Sequence, residues 1–397
     1  MKGYKIFLLL ALVTNTHVFA QADGYPLGQV IESVPVREQA GESFALYLPA
    51  AFKSDEASPV VFVFDPVSNG PNGLQGFLEA AETYGYILVC SNNSRNGPYD
   101  RNFEIAGRLF DQVLTEFAID PDRIYTSGFS GGSRLASAIA DLADQIQGVI
   151  ACGAGFSGNG GQLPASGEPY SYVGLVGNVD MNYGEMVRNR EWLERLGISN
   201  ALFEFDMGHQ WPSQDQMLLA FHWLELEAQR KGLVTLNKGQ LDRIYQEFYK
   251  EARLLEREDE LLRAHASYAR IVKSLSDHFT LDSIADKIKT IEASPAYAQQ
   301  KNQRTQTLEE EQLRLQQYLR KLGKDLHKSK RYPWWEREIE TLKESASESN
   351  PFTARMAKRL LAGLRAYAWE RGENAPLTEL LKRIRFERPP SNRQAPE

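Results

Sequence analysis

Short runs of β-branched and aromatic residues alternate, from residue 21 to about residue 228, with stretches whose apolar residues recur at helical spacing. This alternation is typical of a parallel sheet whose strands are joined by helices. The predicted strands are 43–48, 60–64, 87–91, 123–127, 148–152, 172–176 and 201–205, with 29–36 as a further strand at the edge. The predicted helices are 74–84, 104–117, 132–142, 183–196 and 217–228. The pattern therefore predicts an α/β domain over residues 21–228.

From about residue 229 the pattern becomes one of helices only, because glycine is rare and Leu, Glu, Lys, Arg, Gln and Ala dominate. Five leucines form an apolar stripe on one long helix: Leu308, Leu315, Leu319, Leu322 and Leu326. Core packing is the default explanation of this stripe, and a coiled-coil partner face is the alternative. We expect an all-helical domain over residues 229–388 and a disordered tail over 389–397. Stretches 253–274 and 354–371 suggest repeat-like helical hairpins, although the match to a tetratricopeptide motif is poor.

The first twenty residues have the layout of an export signal. Lys2 and Lys5 precede an apolar run at 6–13, and Val18-Phe19-Ala20 provides a small-residue cleavage pattern before Gln21. The run is shorter than the roughly 20 apolar residues of a transmembrane helix. We therefore expect a periplasmic or secreted mature chain without an integral membrane span, with a buried N-terminal helix as the alternative.

Charge is distributed unevenly along the chain. The formal net charge of the 397 residues is −7, which excludes nucleic-acid binding by bulk charge. Residues 21–228 carry a net charge of −17 and residues 229–397 a net charge of +8. Opposite charges favour docking of the two parts on each other, and an acidic protein partner for the basic helical part is the alternative.

The residues Gly128-Phe129-Ser130-Gly131-Gly132 lie between a predicted strand and an alanine-rich predicted helix. A G-x-S-x-G motif in that position is a nucleophile elbow, in which small neighbours let a strained turn close around the serine. The N–H of Gly131 then points at the oxyanion that develops on the substrate. A near repeat, Gly155-Phe156-Ser157-Gly158-Asn159, is followed by glycines and a proline, so Ser157 is predicted in a loop. We predict Ser130 as the nucleophile, with an ordinary turn serine as the alternative.

A serine nucleophile needs a base and an acid that orients the base. His209 lies in the loop between the last predicted strand and the last predicted helix of the α/β part, whereas His222 lies inside that helix. The order required by a nucleophile elbow is serine, acid, histidine. We therefore predict His209 as the base and Asp180, which closely follows a strand, as the acid. Glu185 and Asp206 are the competitors of Asp180.

These pieces resemble the α/β-hydrolases of the poly(3-hydroxybutyrate) depolymerase-like and feruloyl-esterase-like group. The matching segments are Leu48-Pro49, the Gly128–Gly132 elbow, Asp180 after Gly177, and Gly208-His209-Gln210-Trp211-Pro212, which is close to the G-H-x-W-P signature of that group. The resemblance covers about residues 30–228. It implies an α/β-hydrolase fold with an eight-stranded, mostly parallel sheet in the order 1-2-4-3-5-6-7-8.

Cys90 and Cys152 fall on the fourth and sixth strands of that implied sheet. An exported protein with two cysteines suggests a disulfide, but bridged Cα atoms must lie within about 7 Å of each other. The implied order separates these strands by about 14 Å. We therefore expect two free, buried thiols.

The loop after the third strand departs from the resembled group, which usually carries His-Gly there. This chain has Asp65-Pro66-Val67, and Pro66 has no N–H. We expect the second oxyanion donor to be the N–H of Val67 or of a near neighbour, acting beside Gly131.

Substrate contacts are expected from the loop 91–97, which should border the same pocket. Its candidate residues are Asn92, Asn93 and Arg95, and an Asn-rich capped turn is an equally favoured interpretation. Phe129 and Trp211 complete the predicted set. Trp211 either walls the pocket beside the histidine or anchors its loop.

The sequence thus predicts an exported serine esterase that acts on a small-molecule or polymer ester through an acyl-enzyme. No metal or cofactor is expected, since no metal-ligand spacing, phosphate-binding loop or dinucleotide fingerprint is present. A peptidase on the same fold is one alternative. An inert hydrolase-like scaffold whose helical domain binds a partner is the other.

Overall fold

The computed structural model of the protein describes residues 24–156, 163–325, 332–371 and 376–384. The predicted export signal, Ser157, Leu326 and the predicted tail lie outside the described residues. By internal contacts the chain forms two compact units. Within the described residues, the first unit covers 24–156, 163–178 and 182–300, and the second covers 179–181, 301–325, 332–371 and 376–384.

An eight-stranded sheet forms the centre of the first unit. Its strands are β1 (Val30–Pro35), β2 (Ser43–Tyr47), β3 (Ser58–Phe64), β4 (Ile87–Ser91), β5 (Ile119–Phe129), β6 (Ile146–Cys152), β7 (Ser171–Gly177) and β8 (Asn200–Phe205). Their spatial order is β1-β2-β4-β3-β5-β6-β7-β8, and only β2 runs antiparallel to its neighbours. This order and the mostly parallel pairing confirm the predicted α/β-hydrolase fold.

Burial explains why the strands could be predicted from the sequence. Residues 60–64 of β3 and 87–90 of β4 are all fully buried. Strands covered on both faces are near-continuous runs of β-branched and aromatic residues rather than alternating ones. The loops that connect these strands to the following helices carry the candidate site residues.

Six helices follow the strands of the sheet. They are α1 (Gly70–Leu74), α2 (Leu78–Tyr84), α3 (Tyr99–Glu116), α4 (Gly131–Ala140), α5 (Tyr183–Leu196) and α6 (Gln214–Arg230). A 3₁₀ turn joins α1 to α2, so the predicted single helix at 74–84 is two short helices that begin earlier, at Gly70. The Asn69 side chain caps that start by accepting the N–H of Asn72.

Three more helices belong to the first unit: α7 (Lys238–Arg257), α8 (Leu261–Leu275) and α9 (Asp282–Glu292). Phe248 of α7 and Tyr268 of α8 share one hydrophobic core with Phe203 of β8 and Phe221 of α6. The guanidinium of Arg270 also lies 3.7 Å from the ring centroid of Phe203. The predicted domain boundary at 228/229 is therefore too early, because a change of composition does not reveal that these helices pack on the sheet's own core.

The second unit consists of helices around a separate core. Helix α10 (Pro295–Asp325) begins in the first unit and continues in the second, which also contains α11 (Pro333–Ser345), α12 (Pro351–Arg371) and α13 (Pro376–Lys382). Leu322 is buried in this core, whereas Leu319 is 59% exposed, so only part of the predicted leucine stripe packs inward. The predicted hairpin at 354–371 is wrong, because that stretch lies within the single helix α12.

Cys90 on β4 and Cys152 on β6 are buried and free, as predicted. Strands β3 and β5 lie between β4 and β6 in the sheet. Burial raises the pKa of both thiols, which makes them poor nucleophiles. Among the helices of the described ranges, none combines the length and the apolar composition that crossing a membrane requires.

Candidate active site

The turn between β5 and α4 holds Ser130 in a strained backbone conformation. Its φ is 53° and its ψ is −119°, between a strand that ends at Phe129 and a helix that begins at Gly131. Positive φ is uncommon for a residue with a side chain, and such strain is a feature of nucleophile elbows. The N–H of Ser130 donates to the carbonyl of Cys152 at 2.9 Å, which holds the turn against β6.

Two glycines of the motif permit this turn for a steric reason. A Cβ on Gly128 would lie 2.3 Å from the carbonyl carbon of Gly132. A Cβ on Gly132 would lie 1.9 Å from the carbonyl oxygen of Phe64. Neither position has room for a side chain, so the start of α4 packs directly on the end of β3.

The imidazole of His209 reaches the serine from the loop between β8 and α6. Its Nε2 lies 2.9 Å from Ser130 Oγ, which is hydrogen-bond distance. The ring also packs on Phe129, with 4.5 Å between the centroids. The loop ends at a capping box in which Ser213 and Gln216 bond each other's backbone N–H groups. A serine and a histidine in this geometry can transfer the hydroxyl proton.

His222, by contrast, is a buried residue of α6. Its Nδ1 lies 2.6 Å from the hydroxyl oxygen of Tyr84. Burial, helped by the positive charge of Arg243, lowers the pKa of His222 to about 4. These contacts agree with its interpretation as a packed helix histidine.

Asp180 lies between β7 and α5 and is 1% exposed. Gly177, the last residue of β7, packs tightly on the loop that leads to His209. A Cβ on Gly177 would lie 2.0 Å from the carbonyl oxygen of Met207 and 2.8 Å from that of Gly208. The strand that precedes Asp180 therefore ends against the loop that precedes the histidine.

The two competing carboxylates have partners of their own. Glu185 accepts two hydrogen bonds from Arg134, at 2.6 and 2.8 Å, and a third from the N–H of Gly155 at 2.9 Å. Asp206 pairs with Arg263 at 3.1 Å, and its side chain is 58% exposed. Each of these carboxylates therefore has a role in holding neighbouring elements together.

The loop after β3 uses its own N–H groups internally. Asp65 Oδ1 accepts from the N–H of Val67 at 2.9 Å and of Asn69 at 3.1 Å. The prediction that Val67 supplies the second oxyanion donor is therefore wrong for this conformation, because its N–H already donates to a carboxylate. Gly131 is the first residue of α4, so its N–H has no acceptor within the helix and remains suited to an oxyanion.

Asn92 and Asn93, predicted to bind substrate, form hydrogen bonds at the edge of the sheet. Asn92 donates to the carbonyl of Glu32 at 3.0 Å and accepts from the N–H of Gly70 at 3.1 Å. Asn93 accepts from the N–H of Ser43 at 2.8 Å. These contacts favour the capped-turn interpretation, and substrate binding by the two side chains stays a prediction.

Trp211 anchors the histidine loop. Its indole N–H donates to Asp65 Oδ2 at 3.1 Å, and its ring meets Phe77 edge-on with 5.9 Å between centroids. Phe129 packs between His209 and Trp211, with 5.3 Å to the latter. Both aromatic residues thus fix the position of the His209 imidazole. Asp65, on which this arrangement depends, was not among the predicted site residues.

A cavity of about 150 Å³ lies beside the first turn of α4. It is lined by Phe64, Asp65, Ser94, Arg95, Asn96, Gly97, Tyr99, Asn102, Gly131, Gly132, Arg134 and Leu135. Arg95 is exposed and forms an antiparallel bridge with Val67, so it is the one predicted substrate residue of the 91–97 loop that keeps an exposed side chain beside this cavity. Asn96, its neighbour, carried no signal in the sequence that set it apart from the other asparagines of the loop.

No protein-family model matches this chain, and no curated protein is recognisably similar to it in sequence. Solved structures of serine hydrolases and esterases are similar to about half of it. Fluorophosphonate-binding serine hydrolase F of Staphylococcus aureus is 14% identical over 50% of this chain and 99% of its own, with a TM-score of 0.41. Esterase 2 of Thermogutta terrifontis, in its butyrate-bound form, is 16% identical over 52% and 96%, with a TM-score of 0.40. A ferulic acid esterase is 12% identical over 49% and 96%, with a TM-score of 0.38. The strand order and the elbow on β5, read from this chain itself, give its first unit the α/β-hydrolase fold.

Proposed function

We propose that this protein is an exported serine hydrolase that cleaves carboxylic esters through Ser130, His209 and Asp180. The observation that carries the proposal is the 2.9 Å contact between His209 Nε2 and the Oγ of a serine held at a φ of 53°. A serine hydroxyl is a weak nucleophile unless an adjacent base removes its proton. The strained turn presents that hydroxyl at the start of α4, where the unpaired N–H groups of a helix terminus favour negative charge.

The proposed reaction has two halves. Ser130 Oγ attacks the ester carbonyl carbon while His209 Nε2 takes its proton, and the N–H of Gly131 donates to the oxyanion. The bond to the alcohol oxygen then breaks, the imidazolium protonates that oxygen, and the acyl group remains on Ser130. Water then loses a proton to His209 and attacks the acyl carbon. The acid leaves and Ser130 regains its proton.

Asp180 would hold the imidazole in the productive tautomer and stabilise its charged form. Three observations support this assignment. Asp180 is buried, it follows the strand whose end packs on the histidine loop, and both competing carboxylates are paired with arginines.

Export is the part of the proposal that depends on the sequence pattern alone. Expression of the full chain in a bacterial host with an intact secretion system tests it. A periplasmic product whose mass matches a chain beginning at Gln21 supports export. A cytoplasmic product that retains residues 1–20 contradicts it.

The catalytic proposal is tested by hydrolysis of p-nitrophenyl acetate, butyrate and octanoate. The chain offers a matched control, because Ser130 and Ser157 both stand in a Gly-Phe-Ser-Gly tetrapeptide. We expect Ser130→Ala to reduce turnover to the background rate and Ser157→Ala to leave it unchanged. Equal background turnover by the wild type and both variants would contradict ester hydrolysis.

Labelling with a fluorophosphonate probe separates the alternatives. A scaffold without catalytic function leaves Ser130 unlabelled. A peptidase is labelled at Ser130 and cleaves peptide anilides faster than the matched esters. An esterase is labelled and shows the reverse preference.

A further inference from the structure

We propose that the side-chain amide of Asn96 is the second donor of the oxyanion hole, in place of a backbone N–H from the loop after β3. The inference rests on the proposed function, since it concerns the oxyanion of that reaction. The juxtaposition that carries it is the contact of the Asn96 carboxamide with Gly131, the residue after the nucleophile.

The loop after β3 offers no N–H to a substrate from residue 66 to residue 70. Pro66 has none. The next four donate inside the protein: Val67 to Asp65 Oδ1 at 2.9 Å, Ser68 to the Asp65 carbonyl at 3.4 Å, Asn69 to Asp65 Oδ1 at 3.1 Å and Gly70 to Asn92 Oδ1 at 3.1 Å. An oxyanion bound by Gly131 alone would therefore lack the second donor that acyl transfer ordinarily uses.

The Asp65 carboxylate fixes this arrangement. Asp65 is 2% exposed, and its Oδ2 accepts the indole N–H of Trp211 at 3.1 Å. Releasing the N–H of Val67 toward a substrate would remove a hydrogen bond from a buried charge. The second donor therefore lies outside residues 66–70.

The loop after β4 is docked on the loop after β3 and lies against Gly131 at the start of α4. The N–H of Asn96 donates to the carbonyl of Pro66 at 2.9 Å, and Ser68 Oγ donates to the carbonyl of Ser94 at 2.9 Å. Val67 and Arg95 form an antiparallel bridge between these two contacts. These links set the backbone of Asn96 relative to the oxyanion site.

The carboxamide of Asn96 occupies the space that a side chain on Gly131 would need. Its Oδ1 lies 1.8 Å, and its Nδ2 3.4 Å, from the position of a Cβ on Gly131. Within the described part of the chain, this carboxamide makes no hydrogen bond. Its two ends exchange by a half-turn about Cβ–Cγ, so the N–H₂ end can face the oxygen on which negative charge develops. Glycine at position 131 is thus what admits the donor.

The first test compares Asn96→Ala and Asn96→Asp with the wild type. We expect kcat for p-nitrophenyl butyrate to fall about 100- to 1000-fold while KM changes less than about 3-fold, as for loss of one oxyanion donor. The rate of fluorophosphonate labelling at Ser130 should fall by a similar factor, because phosphonylation also places charge on that oxygen. Asn72→Asp, which makes the same change on an exposed residue of α1, should behave as the wild type.

The second test distinguishes a donor from a space filler. Gly131→Ala should displace the carboxamide and reproduce the Asn96→Ala defect, since its Cβ would take the same space. If Asn96 only fills space, the double variant Gly131→Ala with Asn96→Ala should regain activity, because the new methyl group replaces what was removed. If Asn96 donates, the double variant should be as impaired as each single variant.

The outcomes separate this inference from the proposed function. Wild-type rates in folded Asn96→Ala, or recovery in the double variant, would overturn the inference while ester hydrolysis stands. Ester hydrolysis at background with slower labelling of Asn96→Ala would overturn the proposed substrate class and support the donor. A wild type that the probe does not label would overturn both.

Discussion

The carboxylate of Asp65 accepts a hydrogen bond from the indole N–H of Trp211 at 3.1 Å. Trp211 follows the candidate base, His209, by two residues. The other oxygen of the same carboxylate accepts the N–H groups of Val67 and Asn69. One buried side chain therefore links the loop after β3 to the loop that carries His209. The position of the imidazole and the conformation of the loop after β3 are coupled through it.

Trp211→Phe tests this coupling, because it keeps an aromatic ring in the loop and removes the indole N–H that Asp65 accepts. We expect the free energy of unfolding to fall by about 1–2 kcal/mol, since a buried carboxylate oxygen loses its donor. Ester hydrolysis should fall about 10-fold, because one hydrogen bond contributes a net free energy of about 1 kcal/mol, which corresponds to roughly that factor in rate. Urea unfolding and p-nitrophenyl butyrate hydrolysis measure the two effects. Trp369→Phe, at a 60% exposed tryptophan of α12, is the control. Wild-type values for Trp211→Phe would show that the two loops are positioned independently.

The elbow makes a second prediction, about its glycines. Gly132→Ala should abolish ester hydrolysis and lower stability, because its Cβ would lie 1.9 Å from the carbonyl oxygen of Phe64, which is backbone and cannot yield. Gly107, on α3, has no atom within 4 Å of the corresponding position. Gly107→Ala should therefore keep activity and stabilise the protein by about 0.5–1 kcal/mol. Thermal unfolding followed by circular dichroism compares them. An active, stable Gly132→Ala would contradict the steric account of the motif.

The strands and the elbow were predictable because their signals are local. β3 and β4 are fully buried over residues 60–64 and 87–90, so they consist of uninterrupted apolar runs. The elbow needs glycines at fixed positions around one serine, so its steric requirement can be recognised from five consecutive residues. His209 followed from its place after the last strand.

The domain boundary and the oxyanion loop were mispredicted because they depend on tertiary contacts. Helix α7 looks like the later helices in composition, and only its packing through Phe248 on Phe203 assigns it to the sheet's unit. Val67 was expected to donate to the substrate, but its N–H donates to the side chain of Asp65 two residues earlier. Hydrogen bonds from a side chain to nearby backbone within a loop leave no periodic pattern in the sequence.

Asp180→Asn tests the third member of the proposed triad. We expect kcat to fall by about 10⁴, because the amide favours the wrong imidazole tautomer and cannot stabilise its charged form. Asp206→Asn is the matched control, since that carboxylate pairs with Arg263 and is 58% exposed. It should keep activity within about 3-fold, as expected of a surface ion pair. Steady-state hydrolysis with both variants decides the assignment, and a larger loss in Asp206→Asn would transfer the role of the acid.

A final prediction concerns stability at acidic pH and the buried His222. Burial, with a smaller effect of the charge on Arg243, lowers the pKa of His222 to about 4, whereas an unfolded histidine has a pKa near 6.5. The folded state therefore binds this proton less readily than the unfolded state. The contribution of His222 to stability is complete above about pH 6.5 and is lost as the pH falls toward 4.

Lowering the pKa of His222 from 6.5 to about 4 corresponds to roughly 3–4 kcal/mol at most, at about 1.4 kcal/mol for each pH unit. Asp141 acts in the opposite sense, because burial raises its pKa to about 6 and its contribution is lost as the pH rises through that value. The contribution of Asp141 to stability cancels when the wild type is compared with His222→Gln.

Urea unfolding at several pH values from 4.5 to 7.5 measures this comparison. The wild type should lose stability relative to His222→Gln as the pH falls. His265→Gln changes a partly exposed histidine paired with Glu292 and keeps His222, so it should lose stability as the pH falls, as the wild type does. A pH-independent difference between wild type and His222→Gln would mean that His222 is protonated equally in both states.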